Sequence, residues 1–349
     1  MAKRAYAAMA VIMAASVLSA GCGLFGKEKE KLDPPKVSYL KEGESQKASP
    51  DKETAGEEKA DTVMRDLYLI DRNGFVVSQS LPLPKTESPA KQALEHLVAD
   101  GPVSGMLPNG FRTVLPAGTE VEVDIKDGKA VADFSEEFAE YEAKDEQKIL
   151  QAVTWTLTQF DTVERVELWI NGKPLTEMPV NGTPISGEGL SRADGINTSQ
   201  SDAADITNTR PLTVYYMAQT DDDIYYVPVT KRVPNTERDD IAAIVRELAE
   251  GPGSDTLVSA LFSEAKLLEK PKLEKGIVTL NFNEAILGSD KNNVITEETL
   301  HSIVLSLTEL ADIKSISVMV NGASELVNEE GEPLTSPVTR PEKVNTGSF

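Results

Sequence analysis

Val166-Glu167-Leu168-Trp169-Ile170-Asn171-Gly172 and Ile316-Ser317-Val318-Met319-Val320-Asn321-Gly322 are two versions of one stretch. Each alternates apolar and other residues with period two and ends on Asn-Gly, the pattern of a half-buried strand running into a tight turn. Two further blocks recur in the same order. Val98-Ala99-Asp100-Gly101-Pro102 returns as Leu248-Ala249-Glu250-Gly251-Pro252. Gly128 with Asp133-Phe134-Ser135-Glu136 returns as Gly276 with Asn281-Phe282-Asn283-Glu284. The offset stays between 148 and 150 across all three blocks. A constant offset over separate blocks means an internal duplication, so the fold is one unit built twice.

Working outward, each copy reads the same way. It opens with a strand, Leu67 to Ile70 or Thr213 to Met217, then a second extended segment, Phe75 to Leu83 or Ile224 to Val229. Pro82, Pro84 and Pro228 mark that segment as an edge strand or loop. The first helix of copy one starts at Ser88-Pro89 and carries the stripe Ala90, Leu94, Leu97, Val98. Its counterpart starts at a capping box of Thr236 and Asp239 and carries Ile241, Ile244, Val245, Leu248. Gly-Pro ends both. A hairpin follows, turning at Asp127-Gly128 or Lys275-Gly276. The second helix carries Leu150, Val153, Leu157, Phe160 or Leu300, Ile303, Leu307, Leu310. Thr296 caps the later one, with Ile295 and Leu300 placed as a hydrophobic staple. The order β-β-α-β-β-α-β predicts an α+β protein of two duplicated small α/β sandwich domains. Each is a mixed sheet with two helices on one face.

The N-terminus sets the compartment. Lys3 and Arg4 precede an apolar run from Ala5 to Ala20, too short to span a membrane and typical of a secretory signal. Ser19-Ala20-Gly21-Cys22 follows, and Cys22 is the only cysteine in the chain. This resembles the lipobox of bacterial lipoproteins, which implies cleavage after Gly21 and diacylation of the Cys22 sulfur. Residues 23–62 are charged at 18 of 40 positions, with few large apolar side chains. Such a segment cannot bury enough surface to fold and reads as a disordered tether. The expected organisation is a signal peptide over 1–21 and a lipidated tether over 22–63. Domain one covers 64–178 and domain two 211–335. A linker, or an ordered loop between packed domains, covers 179–210, and a tail covers 336–349.

These residues resemble a tandem pair of GerMN domains. The resemblance rests on the lipobox, the Asp100-Gly101-Pro102 and Glu250-Gly251-Pro252 helix ends, the Asp133-Phe134 and Asn281-Phe282 strand ends and the two Asn-Gly turns. It implies a lipoprotein of sporulation and germination on the outer face of the cell membrane, in sporulating cells between the mother-cell and forespore membranes. It implies protein partners of the SpoIIQ/SpoIIIA type, in a transenvelope secretion complex, and a fold like the ring-building motifs of secretion systems. It carries no catalytic residue.

The chemistry-bearing residues point the same way. The formal net charge of −22 disfavours nucleic-acid binding. A single cysteine and two histidines, His96 and His301, leave little for thiolate, metal or acid–base work. The duplication repeats neither histidine, and both read as surface residues. Asp133, Glu136 and the tract Asp221-Asp222-Asp223 have the oxygens a Ca²⁺ ion wants, but read better as turn residues. Tyr215, Tyr216, Tyr225 and Tyr226 read as cross-strand packing rather than a binding patch. No cofactor, metal or catalytic site is expected. The anomaly is Trp155, which points away from its helix's apolar stripe, as does Leu305 at the matching position. Either something inside the chain covers that face, or the two residues are anchors for a protein partner. The functional expectation is a non-enzymatic scaffold; the alternative is an envelope lipoprotein that binds peptidoglycan or a metal.

Overall fold

The computed structural model describes residues 61–198, 208–220, 223–287 and 293–346. Cys22, the signal sequence and most of the tether lie outside the described residues, as do Asp221 and Asp222. Repeat one consists of β1 (Thr62–Ile70), β2 (Val76–Pro84), α1 (Pro89–Glu95), β3 (Val121–Lys126), β4 (Lys129–Phe134), α2 (Glu146–Leu157), β5 (Arg165–Ile170) and β6 (Lys173–Pro174). Repeat two consists of β7 (Thr209–Gln219), β8 (Ile224–Pro234), α3 (Asp240–Glu250), β9 (Lys272–Glu274), β10 (Ile277–Phe282), α4 (Glu297–Leu307), β11 (Ser315–Val320) and β12 (Val338–Thr339).

The central strands are as the duplicated blocks dictate. β4 pairs parallel with β5, and β10 with β11, in the same register: Phe134 faces Ile170 and Phe282 faces Val320. β3 and β9 add antiparallel at one edge. The turns work because Asp127-Gly128 and Lys275-Gly276 all adopt positive φ, as a two-residue hairpin loop requires. Asp133 and Asn281 are turn residues too. Each side chain accepts the amide N–H of the glycine in the Asn-Gly turn, Gly172 or Gly322.

The alternative of a single sheet does not hold. β1–β2 and β7–β8 are separate two-stranded sheets, and a four-stranded sheet completes each repeat. The reason lies in the helices between them. In α2 and α4 nearly every residue is buried, not one stripe. Leu150, Val153 and Leu157 form the stripe expected to meet the sheet. The opposite side carries Thr156 or Ser306, whose hydroxyl accepts the backbone N–H of Tyr68 at 3.2 Å or Tyr215 at 2.8 Å. The first hairpin thus finds hydrogen-bond partners on the back of the helix. Leu305 lies under Tyr215 and Val344 there, and the Trp155 ring sits 5.6 Å from that of Tyr68.

Two caps differ from expectation. Ser88 makes no side-chain cap bond, although Pro89 occupies the first turn. In repeat two the cap is Asp239, accepting from the Ala242 N–H, not Thr236. Thr296 caps α4 as expected, accepting from the Thr299 N–H. α3 runs up to Gly251-Pro252, whereas α1 ends at Glu95, five residues short of Asp100. Each repeat closes its own core. One is built from residues between Leu67 and Ile196, the other from residues between Leu212 and Leu326 plus Val77 of β2.

Candidate functional site

The most heavily built polar constellation lies where the two repeats meet. After its last strand, each repeat sends out a short arm. Arm one starts at Leu190, which bridges Val166 of β5; arm two starts at Val338, which pairs with Ile316 of β11. Each arm then supplies an arginine to its own helix end. Arg192 donates from Nε to the Thr158 hydroxyl at 3.0 Å, and Arg340 from Nη1 to the Thr308 hydroxyl at 3.0 Å. Arg192 also stacks over the Trp155 ring at 4.4 Å, and Arg340 over Tyr215 at 5.4 Å.

The arms then cross to the other repeat. The Ile196 N–H donates to the Thr230 hydroxyl at 2.9 Å, and the Thr230 N–H to the Ile196 carbonyl at 2.8 Å. In the reciprocal contact the Val344 N–H donates to the Ser80 hydroxyl at 2.8 Å, and the Ser80 N–H to the Val344 carbonyl at 3.2 Å. Asn197 follows, in a left-handed conformation that asparagine tolerates. Its amide accepts from the Val76 N–H and donates to the Val76 and Pro228 carbonyls. Asn345, also left-handed, accepts from the Tyr226 N–H and donates to the Tyr226 and Ser78 carbonyls. Each asparagine therefore clamps β2 and β8 together, one strand of its own repeat and one of the other.

One carboxylate lies among these groups. Glu309, its side chain 10% exposed, accepts from Arg192 at 2.7 Å, pairs with Arg340 at 3.1 Å and accepts the Tyr215 hydroxyl at 2.7 Å. Burial raises the Glu309 pKa, but the two guanidiniums and the Tyr215 hydroxyl outweigh it and hold the carboxyl below the usual range. Burial pushes the Tyr68 phenol beside this cluster up to about 12, so it stays neutral at physiological pH. A second crossing bond, from the Tyr225 hydroxyl to Asp71 at 2.7 Å, ties β8 to the β1–β2 turn.

This places the residues singled out in the sequence. Trp155 and Leu305 are 0% exposed, and their cover is intramolecular. Neither is available as a surface anchor for a partner: the hairpin and the arms that close over them belong to the same chain. Tyr215 and Tyr216 point to opposite faces of β7, one to the junction and the other to the core of repeat two. None of the four tyrosines lies directly opposite another in the β7–β8 register. His96 is buried rather than on the surface, with Nδ1 2.7 Å from the Gln92 carbonyl. His301 stacks edge-on against Tyr226. The arms themselves lie in stretches that read as linker and tail. The signal that would have found them is a fourth recurrence at offset 148: Arg192 with Ile196-Asn197-Thr198 returns as Arg340 with Val344-Asn345-Thr346. Short blocks without apolar periodicity are easily passed over as linker composition.

Comparison with known proteins matches both repeats. Residues 66–176 and 213–326 fit the Germane family, described as sporulation and spore germination. The chain is 56% identical over 357 residues to the spore germination protein GerM of Bacillus subtilis (strain 168), covering 97% of each. The solved structure of the tandem GerMN domains of the sporulation protein GerM from Bacillus subtilis superposes with a TM-score of 0.78 at 60% identity, covering 82% of this chain and 100% of that one. With the duplicated α+β unit, the paired repeats and these likenesses together, the chain belongs to the GerM family of sporulation and spore germination proteins, built from two GerMN domains in tandem.

Proposed function

We propose that this chain is a non-enzymatic scaffold lipoprotein of sporulation and germination. In this reading the Cys22 sulfur carries the lipid and holds the protein to the outer face of the cell membrane. In sporulating cells that is the space between the mother-cell and forespore membranes. There the paired repeats brace a transenvelope secretion complex of the SpoIIQ and SpoIIIA type. The observation that carries the sporulation role is the identity of 56% over nearly the full length of a spore germination protein. Support for a bracing role comes from the junction. Its buried polar groups are spent on fastening one repeat to the other, which suits a rigid two-part strut better than a reactive cleft. Among the described residues no helix is long and apolar enough to cross a membrane. An anchor at Cys22 is in keeping with that.

The test is replacement of the native gene by Cys22→Ala in sporulating cells, with membrane fractionation and in-cell cross-linking. The expected result is loss of the protein from membranes, loss of cross-links to the transenvelope complex and a fall in mature spores. Wild-type spore yield together with unchanged membrane retention would remove the lipid anchor from the reading. Retained anchoring without any cross-link in wild-type cells would remove the scaffold role.

A further inference from the structure

The contacts across the junction come in reciprocal pairs. Ile196 meets Thr230 and Val344 meets Ser80; Asn197 reaches Pro228 and Asn345 reaches Ser78. Each pair is the other carried through the duplication offset. Residue i of one repeat touches j of the other, and j touches i in return, which is the pattern of a two-fold, self-complementary interface. The chemical types match as well. Ile196 corresponds to Val344, Asn197 to Asn345, Ser80 to Thr230, Arg192 to Arg340 and Thr158 to Thr308. None of these contacts distinguishes a first repeat from a second.

One position does. Glu309 corresponds to Gln159 at the same offset. Glu309 turns to Arg192 and Arg340, whereas Gln159 turns back to its own β1, bonding the Asp66 N–H and carbonyl. Two second repeats brought together in this arrangement would supply two arginines and two carboxylates. Two first repeats would bring two copies of Arg192 to the axis with no carboxylate at all, leaving cations desolvated without a partner.

We propose that the junction is a docking surface for a GerMN repeat of another copy of this chain, and that Glu309 decides which repeats pair through it. A second repeat docks on a first or on another second, and two first repeats do not dock. In the intact chain the repeat next door occupies the surface, because a short connection holds it at an effective concentration near the millimolar range. Freed of that connection, the second repeat takes either partner. This goes beyond the scaffold reading and does not depend on it.

The experiment keeps the protein whole until it has folded. A specific protease site is placed between Thr198 and Asn208, the purified chain is cut, and two cut preparations are mixed, one of them tagged. With the tag on the second repeat, capture is expected to bring down untagged second repeats as well as first repeats. With the tag on the first repeat, it brings down second repeats but no untagged first repeats. Glu309→Gln is expected to lower second-to-second capture by about tenfold or more. Gln159→Glu is expected to create first-to-first capture, a gain that a fold-breaking variant cannot imitate. Cut halves that separate while circular dichroism stays native, or that never exchange, overturn the proposal. So does second-to-second capture that is absent while first repeats exchange, or that survives Glu309→Gln. If Glu309→Gln does not fold, failure of Gln159→Glu to create first-to-first capture overturns the role of residue 309.

Discussion

The two repeats keep one backbone plan and fasten it with different side chains. At the start of the second helix, repeat one has Glu146 and repeat two has Thr296. Glu146 is fully buried and accepts from the Tyr141 hydroxyl at 2.7 Å and the Asn181 and Thr183 N–H groups at 2.6 and 2.9 Å. Thr296 instead caps its own helix. On the back of that helix repeat one places Trp155, and repeat two places Leu305 and fills the remainder with the Tyr215 ring, which stacks under Arg340. The outer strand β3 spans six residues, but its counterpart β9 only three. What the repeats share to the residue is the arm. Local anchoring is therefore interchangeable between the copies. The crossing contacts are not, because each must fit its own repeat and the reciprocal site on the other.

The sharpest way to test that contrast is to truncate the two back-of-helix residues. Trp155→Ala is expected to cost roughly 3–5 kcal/mol and Leu305→Ala roughly 2–4 kcal/mol, read from urea denaturation of residues 61–349. A loss below about 1 kcal/mol at Trp155 would mean the hairpin does not depend on it. Next come the clamps. Asn197→Ala and Asn345→Ala each strand buried backbone groups on two strands and are expected to cost roughly 2–3 kcal/mol apiece. Near-equal losses sharpen the two-fold relation, and a difference above about 1.5 kcal/mol breaks it.

The third prediction separates the anchors by pH. Burial raises the Glu146 pKa, but the hydrogen bonds from Thr183, Tyr141 and Asn181 overcome it and bring the carboxyl down to about 2, from 4.5. Its contribution is complete above the unfolded value and is lost as pH falls through the interval between the two. Repeat one should therefore loosen near residues 181–183 on acidification, whereas Thr296 has no charge to lose. Glu146→Gln should cost roughly 1.5–3 kcal/mol at neutral pH. Amide exchange of Asn181 and Thr183 measures both, and protection unchanged down to about pH 2.5 would exclude this anchor. The smallest effect is expected at the outer strand of repeat two. Leu273 is 43% exposed, so Leu273→Lys should shift stability by less than about 0.5 kcal/mol, checked by thermal melting.

Much of this architecture was readable in the chain, and the failures have physical causes. The parallel pair β4–β5 and its copy were legible because alternating apolar residues ending in Asn-Gly state both the strand and its end. The tilt of Trp155 off its stripe was a correct warning that a second face is covered. It was not possible to tell which element covers it, since a helix face looks the same whether a hairpin of its own chain or a foreign protein lies on it. The hairpin's separation from the main sheet was hidden for a related reason: β1 reads as a strand, and only Thr156 bonded to Tyr68 reveals that a helix takes the place of a neighbouring strand.

By itself the sequence determined the duplication, the strand and helix order, the turns and the apolar stripes, because these follow from local periodicity and from residues that tolerate few backbone conformations. Only the tertiary structure decided that residues 190–198 and 338–346 are arms, that Asn197 and Asn345 clamp both hairpins, and that Glu309 sits between two arginines 148 positions apart. Those are pairings between groups far apart in the chain. Their free energy depends on desolvation and on reciprocal geometry, neither of which leaves a periodic mark on the residues that supply it.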